Sequence, residues 1–252
     1  MHNTYLREVL TKCPDADKVR VACFHVETGF SKGAPVAAKI ITVFNQKGGC
    51  GKTNISVQVG GSLGRRGKRV KIIDADPQNT ATRWLAQARD AAPFPARISN
   101  LSGLGPALHR EIRADLDNFD YIVVDCPPSV DSPIAGSALL VSDLAVIPVV
   151  PSPADIWAAV AAKKLAAHAQ GTNPSLKVVA VFNMVQRTAM AKGALDVMSE
   201  DENVPVLKSQ LGLRSAYREC QVMGATVHSV PRAGAAVAEV EGLVDEILKV
   251  MK

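Results

Sequence analysis

The stretch FNQKGGCGKTN has the residue types of a phosphate-binding loop in almost the usual order. Such a loop (P-loop) follows the pattern G-x-x-x-x-G-K-[ST], and Gly51, Lys52 and Thr53 supply its end. Gln46 occupies the position of the first glycine, and a second lysine, Lys47, stands directly after it. The stretch therefore predicts nucleotide binding by a loop that has lost one glycine and gained one cation.

Three glycines would let this loop hold an anion. Gly48, Gly49 and Gly51 allow backbone N–H groups to turn inward, and a helix beginning at Lys52 adds the positive end of its dipole. The lysine can reach the β- and γ-phosphates, and the Thr53 hydroxyl can contact Mg²⁺. A glycine-rich turn without this role would not be expected between a strand and a helix.

Three carboxylates follow apolar segments that read as strands. Asp74 and Asp76 lie in DADPQ, and Asp125 ends YIVVD. The carboxyl ends of parallel strands meet at one edge of a sheet, where ligands bind. We expect Asp74 and Asp125 near a Mg²⁺ ion, and Asp76 to orient an attacking water. With Lys52, this set predicts phosphoryl transfer.

Strands and helices must alternate to place these residues together. From Lys39 onward, short apolar runs, most of them rich in β-branched residues, alternate with helical patterns. This alternation predicts a mostly parallel, twisted sheet with helices on both faces, an α/β fold of the P-loop NTPase type. The predicted strands are 39–44, 69–76, 121–128, 143–152 and 176–183, with a short extended piece at 204–207. The predicted helices are 52–66, 79–89, 103–113, 155–170, 189–200 and 215–223.

The bulk sequence narrows the class of protein. Residues 1–38 show no clear period and are predicted to be an extension with one short helix near Thr4–Lys12, or else a poorly ordered tail; residues 39–252 form the predicted ATPase domain. No apolar run is long enough to span a bilayer, and the polar N-terminus is unlike a secretory signal. The five cysteines form no CxxC pair, so neither zinc nor disulfides are indicated and a cytoplasmic location is expected.

Taken together, KGGCGKT, DADPQNTATRW and VVDCPPS resemble the deviant Walker A ATPases of the ParA/MinD class. The DPQ followed by Trp84 is similar to the small ParA-type partition ATPases, and the resemblance covers residues 39–252. It implies ATP and Mg²⁺ as ligands and a homodimer that forms when ATP is bound. Lys47 matches the signature lysine, which reaches the partner's phosphates much as an arginine finger does, so Lys47 joins Lys52 and Asp76 as a predicted catalytic residue.

The resemblance also extends the predicted nucleotide site. Cys50 and Asn54 fall within the motif, although the family commonly has threonine where this chain has Asn54. Asn183 matches a position that contacts adenine, and Pro205 matches a segment that lines the base.

The resemblance further implies sequence-independent DNA binding by ATP-bound dimers, which agrees with a net charge of +5. Arg214 and Arg218 are four residues apart, so a helix would place them on one face. The alternative is a solvated helix face paired with Glu219. The predicted DNA-contacting residues are Arg187, Lys208, Arg214, Arg218 and Arg232.

Two other functions remain open on this fold. A MinD-like ATPase would bind membrane through a C-terminal basic amphipathic helix, but the last helix carries Glu239, Glu241, Asp245 and Glu246, which anionic lipids would repel. A small-molecule synthetase would need a polar cluster for a second substrate, and none is evident. We therefore expect a nucleoid-associated ATPase, slow without a ParB-like or other cargo adaptor, that partitions or positions a plasmid, a chromosome or another large cargo.

Overall fold

A computed structural model describes residues 37–129, 132–200 and 203–252. Its six strands form one sheet in the order β3-β2-β4-β1-β5-β6, and every neighbouring pair is parallel. The predicted helix near Thr4–Lys12 and nearly all of the predicted extension lie outside the described residues. The strands are β1 Lys39–Val43, β2 Val70–Asp74, β3 Arg97–Asn100, β4 Tyr121–Asp125, β5 Leu144–Val149 and β6 Lys177–Phe182.

Helices connect the strands, and serine, threonine and proline mark several of their starts. Ser152 and Thr188 each accept a hydrogen bond from a backbone N–H of the helix that they precede, as N-cap residues do. The α-helices are α1 Lys52–Arg65, α2 Thr80–Leu85, α3 Leu108–Ala114, α4 Pro133–Leu139, α5 Pro153–Gln170, α6 Ala189–Ser199, α7 Ala216–Val222 and α8 Gly234–Val250, with 3₁₀ turns at Ser102–Ala107 and Val227–Ser229.

Two apolar clusters cover the two faces of the sheet. Successive side chains of a strand point to opposite faces, so Ile40 joins one cluster while Ile41 and Val43 join the other. Burying each such side chain stabilises the fold by about 1.5–3 kcal/mol. Because both faces of the sheet are covered, most of the strands are continuous apolar runs in the sequence. The α/β fold class predicted from the sequence is confirmed.

The last helix, α8, packs against α1 and buries its apolar stripe, which includes Val240, Val244 and Ile247. Three of its acidic residues, Glu239, Glu241 and Asp245, form ion pairs with arginines of the same chain. No helix in the described ranges is long and apolar enough to cross a membrane. The stripe that a membrane-binding helix would need exposed is thus part of the core.

Several element boundaries differ from the predicted ones. Strand β3 was missed because RISN is short, polar and half exposed at the sheet edge. The predicted helix 103–113 is broken, since Gly105 has φ 50° and Pro106 follows it, so α-helix begins only at Leu108. The predicted helix 79–89 ends at Leu85. The piece at 204–207 does lie along β6, where Val206 bridges Ala180.

Candidate nucleotide and metal site

The loop between β1 and α1 has the backbone conformation that its glycines allow. Gly49 and Gly51 adopt φ of 77° and 88°, in the left-handed region that favours glycine. A Cβ atom at Gly51 would lie 1.9 Å from Nδ2 of Asn183, so a side chain there is excluded by packing as well. Gly48 has neither constraint, because its nearest neighbour would be Cβ of Pro128 at 3.9 Å.

Lys52 is the first residue of α1, and its ammonium group is held inside the loop. The side chain is buried, and Nζ donates a hydrogen bond to the backbone oxygen of Lys47 at 2.9 Å. The Cys50 thiol donates to the same oxygen at 3.3 Å. Burial raises the pKa of this thiol, which makes Cys50 an inert, space-filling residue. The loop thus folds around Lys52, and the carbonyl group of Lys47 accepts hydrogen bonds from two of its side chains.

Lys47 forms an ion pair within its own chain. Its Nζ lies 2.6 Å from Oδ2 of Asp155, in the first turn of α5. The Asp155 side chain is 7% exposed and that of Lys47 is 36% exposed, so the ion pair joins a buried carboxylate to a partly exposed cation. The Ser152 hydroxyl contacts the same carboxylate oxygen. Sequence reasoning did not assign a role to Asp155, although the S-x-x-D spacing at 152–155 is a helix-start signal.

Asp74 and Asp125 are direct neighbours at the carboxyl edge of β2 and β4. Asp125 is fully buried; its Oδ1 accepts a hydrogen bond from Ser56 Oγ at 3.2 Å, while its Oδ2 has no partner among the residues described. Burial raises the pKa of Asp125 to about 7, and the charge of Asp74 acts in the same direction. The nearby Thr53 hydroxyl and Lys52 ammonium oppose the rise only in part.

Asp74 already has protein partners on both oxygens. Oδ2 accepts hydrogen bonds from the backbone N–H and the hydroxyl of Thr82 at 2.8 and 2.7 Å, and Oδ1 accepts one from the N–H of Asp76 at 3.2 Å. Asp76 in turn accepts a hydrogen bond from the N–H of Gln78 at 2.9 Å. Asp74 therefore orders the DADPQ loop, and sequence reasoning missed the Thr82 contact that reveals this.

The donors around Asp125 suit Mg²⁺. This ion prefers oxygen ligands and is usually held by one or two carboxylates, with water and phosphate completing its shell. The unpartnered Oδ2 of Asp125, beside the Thr53 hydroxyl and Asp74, is such a donor. In the described part of the chain, no group of three or more His, Cys, Asp or Glu side chains is placed to hold a metal ion.

Asn183 joins β6 to the P-loop. Its Nδ2 donates to the backbone oxygen of Cys50 at 2.8 Å, and a cavity of about 160 Å³ opens beside it, lined also by Asn54, Trp84 and Tyr217. Oδ1 of Asn54 is buried there without a partner among the described atoms. This geometry places Asn183 and Asn54 together.

Pro205 lies elsewhere along β6. It does not line that cavity, since its backbone oxygen accepts a hydrogen bond from the N–H of Ala180, in the middle of the strand. The segment that lies beside Asn183 is instead 212–214. Contact between Pro205 and a base stays a prediction.

Residues 41–227 match the family described as the CobQ/CobB/MinD/ParA nucleotide binding domain. The chain belongs to this family. The resemblance stated from the P-loop and the two aspartate motifs is thereby confirmed.

One curated protein is similar to this chain in sequence, and two solved structures are similar to it in fold. The chain is 34% identical over 210 residues to "Maintenance of carboxysome distribution protein A" of Halothiobacillus neapolitanus, covering 82% of this chain and 95% of that protein. The McdA(D38A)–ATP complex of Cyanothece has a TM-score of 0.69 at 17% identity, over 84% of this chain and 96% of that one. Cobyrinic acid a,c-diamide synthase of Mycobacterium smegmatis, with a bound ATP analogue and magnesium, has a TM-score of 0.68 at 23% identity, over 85% and 96%. At these identities the two structures show the shared fold.

In this ParA/MinD-family chain, the predicted DNA-contacting cations are not equivalent. Helix α7 begins at Ala216, so Arg214 precedes it and cannot share a helical face with Arg218; that part of the prediction is wrong. Arg214 binds Glu239, with Nε 2.9 Å from Oε1, and Tyr217 donates to the same carboxylate at 3.1 Å. The partner is therefore Glu239 and not Glu219.

The other four cations are exposed. Within the described ranges no ion pair occupies any of them. They are available to phosphates in a way that Arg214 is not. These residues are Arg187, Lys208, Arg218 and Arg232.

Proposed function

We propose that this protein is a ParA-type ATPase that binds ATP and Mg²⁺, dimerises face to face and binds DNA without sequence preference. A partner would stimulate hydrolysis and so position a large cargo. The observation that carries the proposal is the meeting of Lys52, inside a glycine loop, with a buried Asp125 that keeps one oxygen free. A lysine and a metal-binding carboxylate at the end of parallel strands are what phosphoryl transfer requires.

The loop residues are assigned to the triphosphate. Backbone N–H groups of Gly48 to Asn54 would surround the phosphates, and Lys52 would exchange its bond to the Lys47 oxygen for one to a phosphate oxygen. This exchange is favourable because a charged acceptor forms the stronger hydrogen bond. Asn183 and Asn54 would face the nucleoside from the neighbouring cavity.

Thr53, Asp125 and, through water, Asp74 are assigned to Mg²⁺. The bound ion would supply positive charge that offsets the charge developing on the phosphates. It would also give Asp125 the cation that its buried, unpartnered oxygen lacks. Asp76 is assigned to the attacking water, since one of its oxygens is held by Gln78 and the carboxylate stands at the same edge of the sheet.

Lys47 is assigned to the ATP of the partner subunit. In this structure its charge is held by Asp155 at 2.6 Å, and in the ATP-bound dimer it would leave that carboxylate for a phosphate. Breaking a pair that contains a buried carboxylate is costly, so Lys47 would move only when a more strongly charged acceptor is offered. Nucleotide state and dimerisation would thus be coupled through one side chain.

DNA binding is assigned to Arg187, Lys208, Arg218 and Arg232, which are exposed and free of ion pairs in the part of the chain described. Phosphate contacts of this kind position a protein on DNA without reading sequence. We assign Arg214 a weaker part, because Glu239 already holds its guanidinium.

The cargo is proposed to be a large assembly. The relative that is 34% identical over most of both chains is named for carboxysome distribution, which supports positioning rather than synthesis of a small molecule. A ParB-like or other adaptor on the cargo would stimulate an otherwise slow hydrolysis, and the protein would act in the cytoplasm on the nucleoid. No membrane attachment is proposed, since the apolar stripe of α8 is buried.

Hydrolysis of ATP by the purified protein tests the proposal. Phosphate release should depend on Mg²⁺, rise with a cognate adaptor and DNA, and fall to background in Lys52→Ala. Lys164→Ala, which removes an exposed lysine of α5, serves as the matched control and should keep the parent rate. ATP binding and turnover that persist in Lys52→Ala would contradict the assignment of the site.

A further inference from the structure

We propose that a second cavity, at the amino ends of β2 and β3, binds a small anion carrying two or more phosphate groups. Its volume is about 710 Å³, within the range typical of small-molecule sites. It is lined by residues 68–71 and 94–99 and by Asp115, Asn118 and Phe119; these segments include or precede the first residues of three strands. It therefore lies at the edge of the sheet opposite the P-loop.

Four cations from two segments line this cationic cavity. They are Lys68, Arg69, Lys71 and Arg97, and the register of β2 and β3 places Lys71 beside Arg97. Such a concentration is costly in a folded protein unless anions compensate for it, because like charges at short distance repel.

Two of the four cations are neutralised by acids of the same chain. Arg69 binds Asp120, with Nη2 2.8 Å from Oδ1 and the backbone N–H 2.7 Å from Oδ2. Lys71 forms an ion pair with Asp115. Both acids directly precede β4 or lie near its start, so the cavity carries its own partial compensation.

The other two cations are not held by an ion pair in the described part of the chain. Lys68 and Arg97 are exposed, and neither forms an ion pair with any residue that the structure describes. Burial alone would raise the pKa of Asp120, but hydrogen bonds from Arg69, with the charges of Arg69 and Lys68, lower it. The cavity thus has an excess of two positive charges.

The chemistry of the lining favours phosphate. A guanidinium binds two phosphate oxygens at once, and a lysine adds a point charge. Ser99 and Asn118 also line the cavity and offer neutral donors. Two free cations call for two anionic groups, and a concave site of this volume suits a small polyphosphate better than the convex backbone of duplex DNA.

Sodium tripolyphosphate is the probe, titrated by calorimetry. Because the P-loop also attracts phosphate, the titration uses Lys52→Ala protein, and one equivalent should still bind. This makes the test independent of the proposed function. The unsubstituted protein should show one additional class of site, which provides a second reading if Lys52→Ala folds poorly.

A double variant locates the site. Lys68→Gln with Arg97→Gln should weaken the binding by about tenfold or more, since two charge-assisted contacts are lost. The control Lys164→Gln with Lys249→Gln removes the same net charge from exposed positions outside the cavity and should stay within about twofold of the parent. Both doubles should melt like the parent, because all four side chains are exposed.

Three outcomes would overturn the inference. The first is absence of binding in Lys52→Ala together with a single class of site in the unsubstituted protein. The second is an equal loss in both double variants, which would show general attraction to a basic protein. The third is displacement of tripolyphosphate by a short DNA duplex at equal phosphate concentration, which would make the cavity part of a nucleic-acid surface.

Discussion

Replacing Asp125 by asparagine should stabilise the nucleotide-free protein while it removes Mg²⁺-dependent hydrolysis. The carboxylate is fully buried, one oxygen has no partner among the described residues, and burial raises its pKa from 3.8 to about 7. Asparagine keeps the shape and an acceptor for Ser56 but carries no charge. In the nucleotide-free protein, a charged Asp125 is therefore less favourable for folding than a neutral asparagine. The role of the carboxylate in binding Mg²⁺ would explain why a charged residue is present.

The magnitude follows from the pKa. A shift of about three units corresponds to about 4 kcal/mol between the two protonation states. The folded protein binds the proton more tightly than the unfolded chain, so the wild-type stability is complete below pH 3.8 and is lost as the pH rises to about 7. The asparagine variant has no such loss. Its advantage should be small near pH 4 and should reach at most about 4 kcal/mol at pH 8.

Thermal unfolding in EDTA at pH 5 and pH 8 measures this difference. Each kcal/mol should shift the melting temperature by roughly 2–4 °C in a domain of this size. Asp120→Asn is the matched control: burial would raise the pKa of Asp120, but hydrogen bonds from Arg69 lower it, so the carboxylate is charged at both pH 5 and pH 8 and this substitution should destabilise the protein to a similar extent at both values. An Asp125→Asn variant that is less stable than the parent at pH 8, or equally shifted at both pH values, would refute the reasoning.

Two further predictions rest on matched pairs. Gly51→Ala should destabilise the protein by clearly more than the roughly 1–2 kcal/mol of left-handed backbone strain and should abolish ATP binding, because its Cβ would clash with a buried amide. Gly49→Ala has open space around its Cβ and should cost only the backbone strain. Equal denaturant midpoints for the two variants would contradict this prediction. Arg218→Ala should weaken DNA binding at all sequences and lower its salt dependence, whereas Arg214→Ala should mainly lower stability, by up to about 1 kcal/mol, because it removes the ion-pair partner of Glu239. If filter binding shows that Arg214→Ala weakens DNA binding, and thermal melting shows that Arg218→Ala lowers stability, the different roles given to these two arginines would be refuted.

Local signals in the sequence were sufficient for the strands and for the loop. KIITV and YIVVD are apolar over their whole length because both faces of β1 and β4 are covered, so period and composition identify them. The P-loop pattern depends only on neighbours within eight residues, so it too can be identified from the sequence without tertiary structure.

Contacts between distant residues could not be predicted in this way. Asp155 lies 108 residues from Lys47, and no local pattern connects them. The partner of Arg214 is 25 residues away, whereas helical spacing suggested a neighbour. The cationic cavity exists only because β3 pairs with β2, and β3 was missed since its polar residues carry no strand signal.

The central claim is that Lys47 acts on the ATP of a second subunit, and the mass of the ATP-bound protein tests it most directly. The Asp76→Ala protein should bind ATP without hydrolysing it. With ATP and Mg²⁺, its mass measured by light scattering on a sizing column should be twice the 26.7 kDa of one chain. Adding Lys47→Ala to it should restore the mass of one chain while a fluorescent ATP analogue still binds. A dimer that persists without Lys47, or a single-chain mass for Asp76→Ala with ATP bound, would contradict the account.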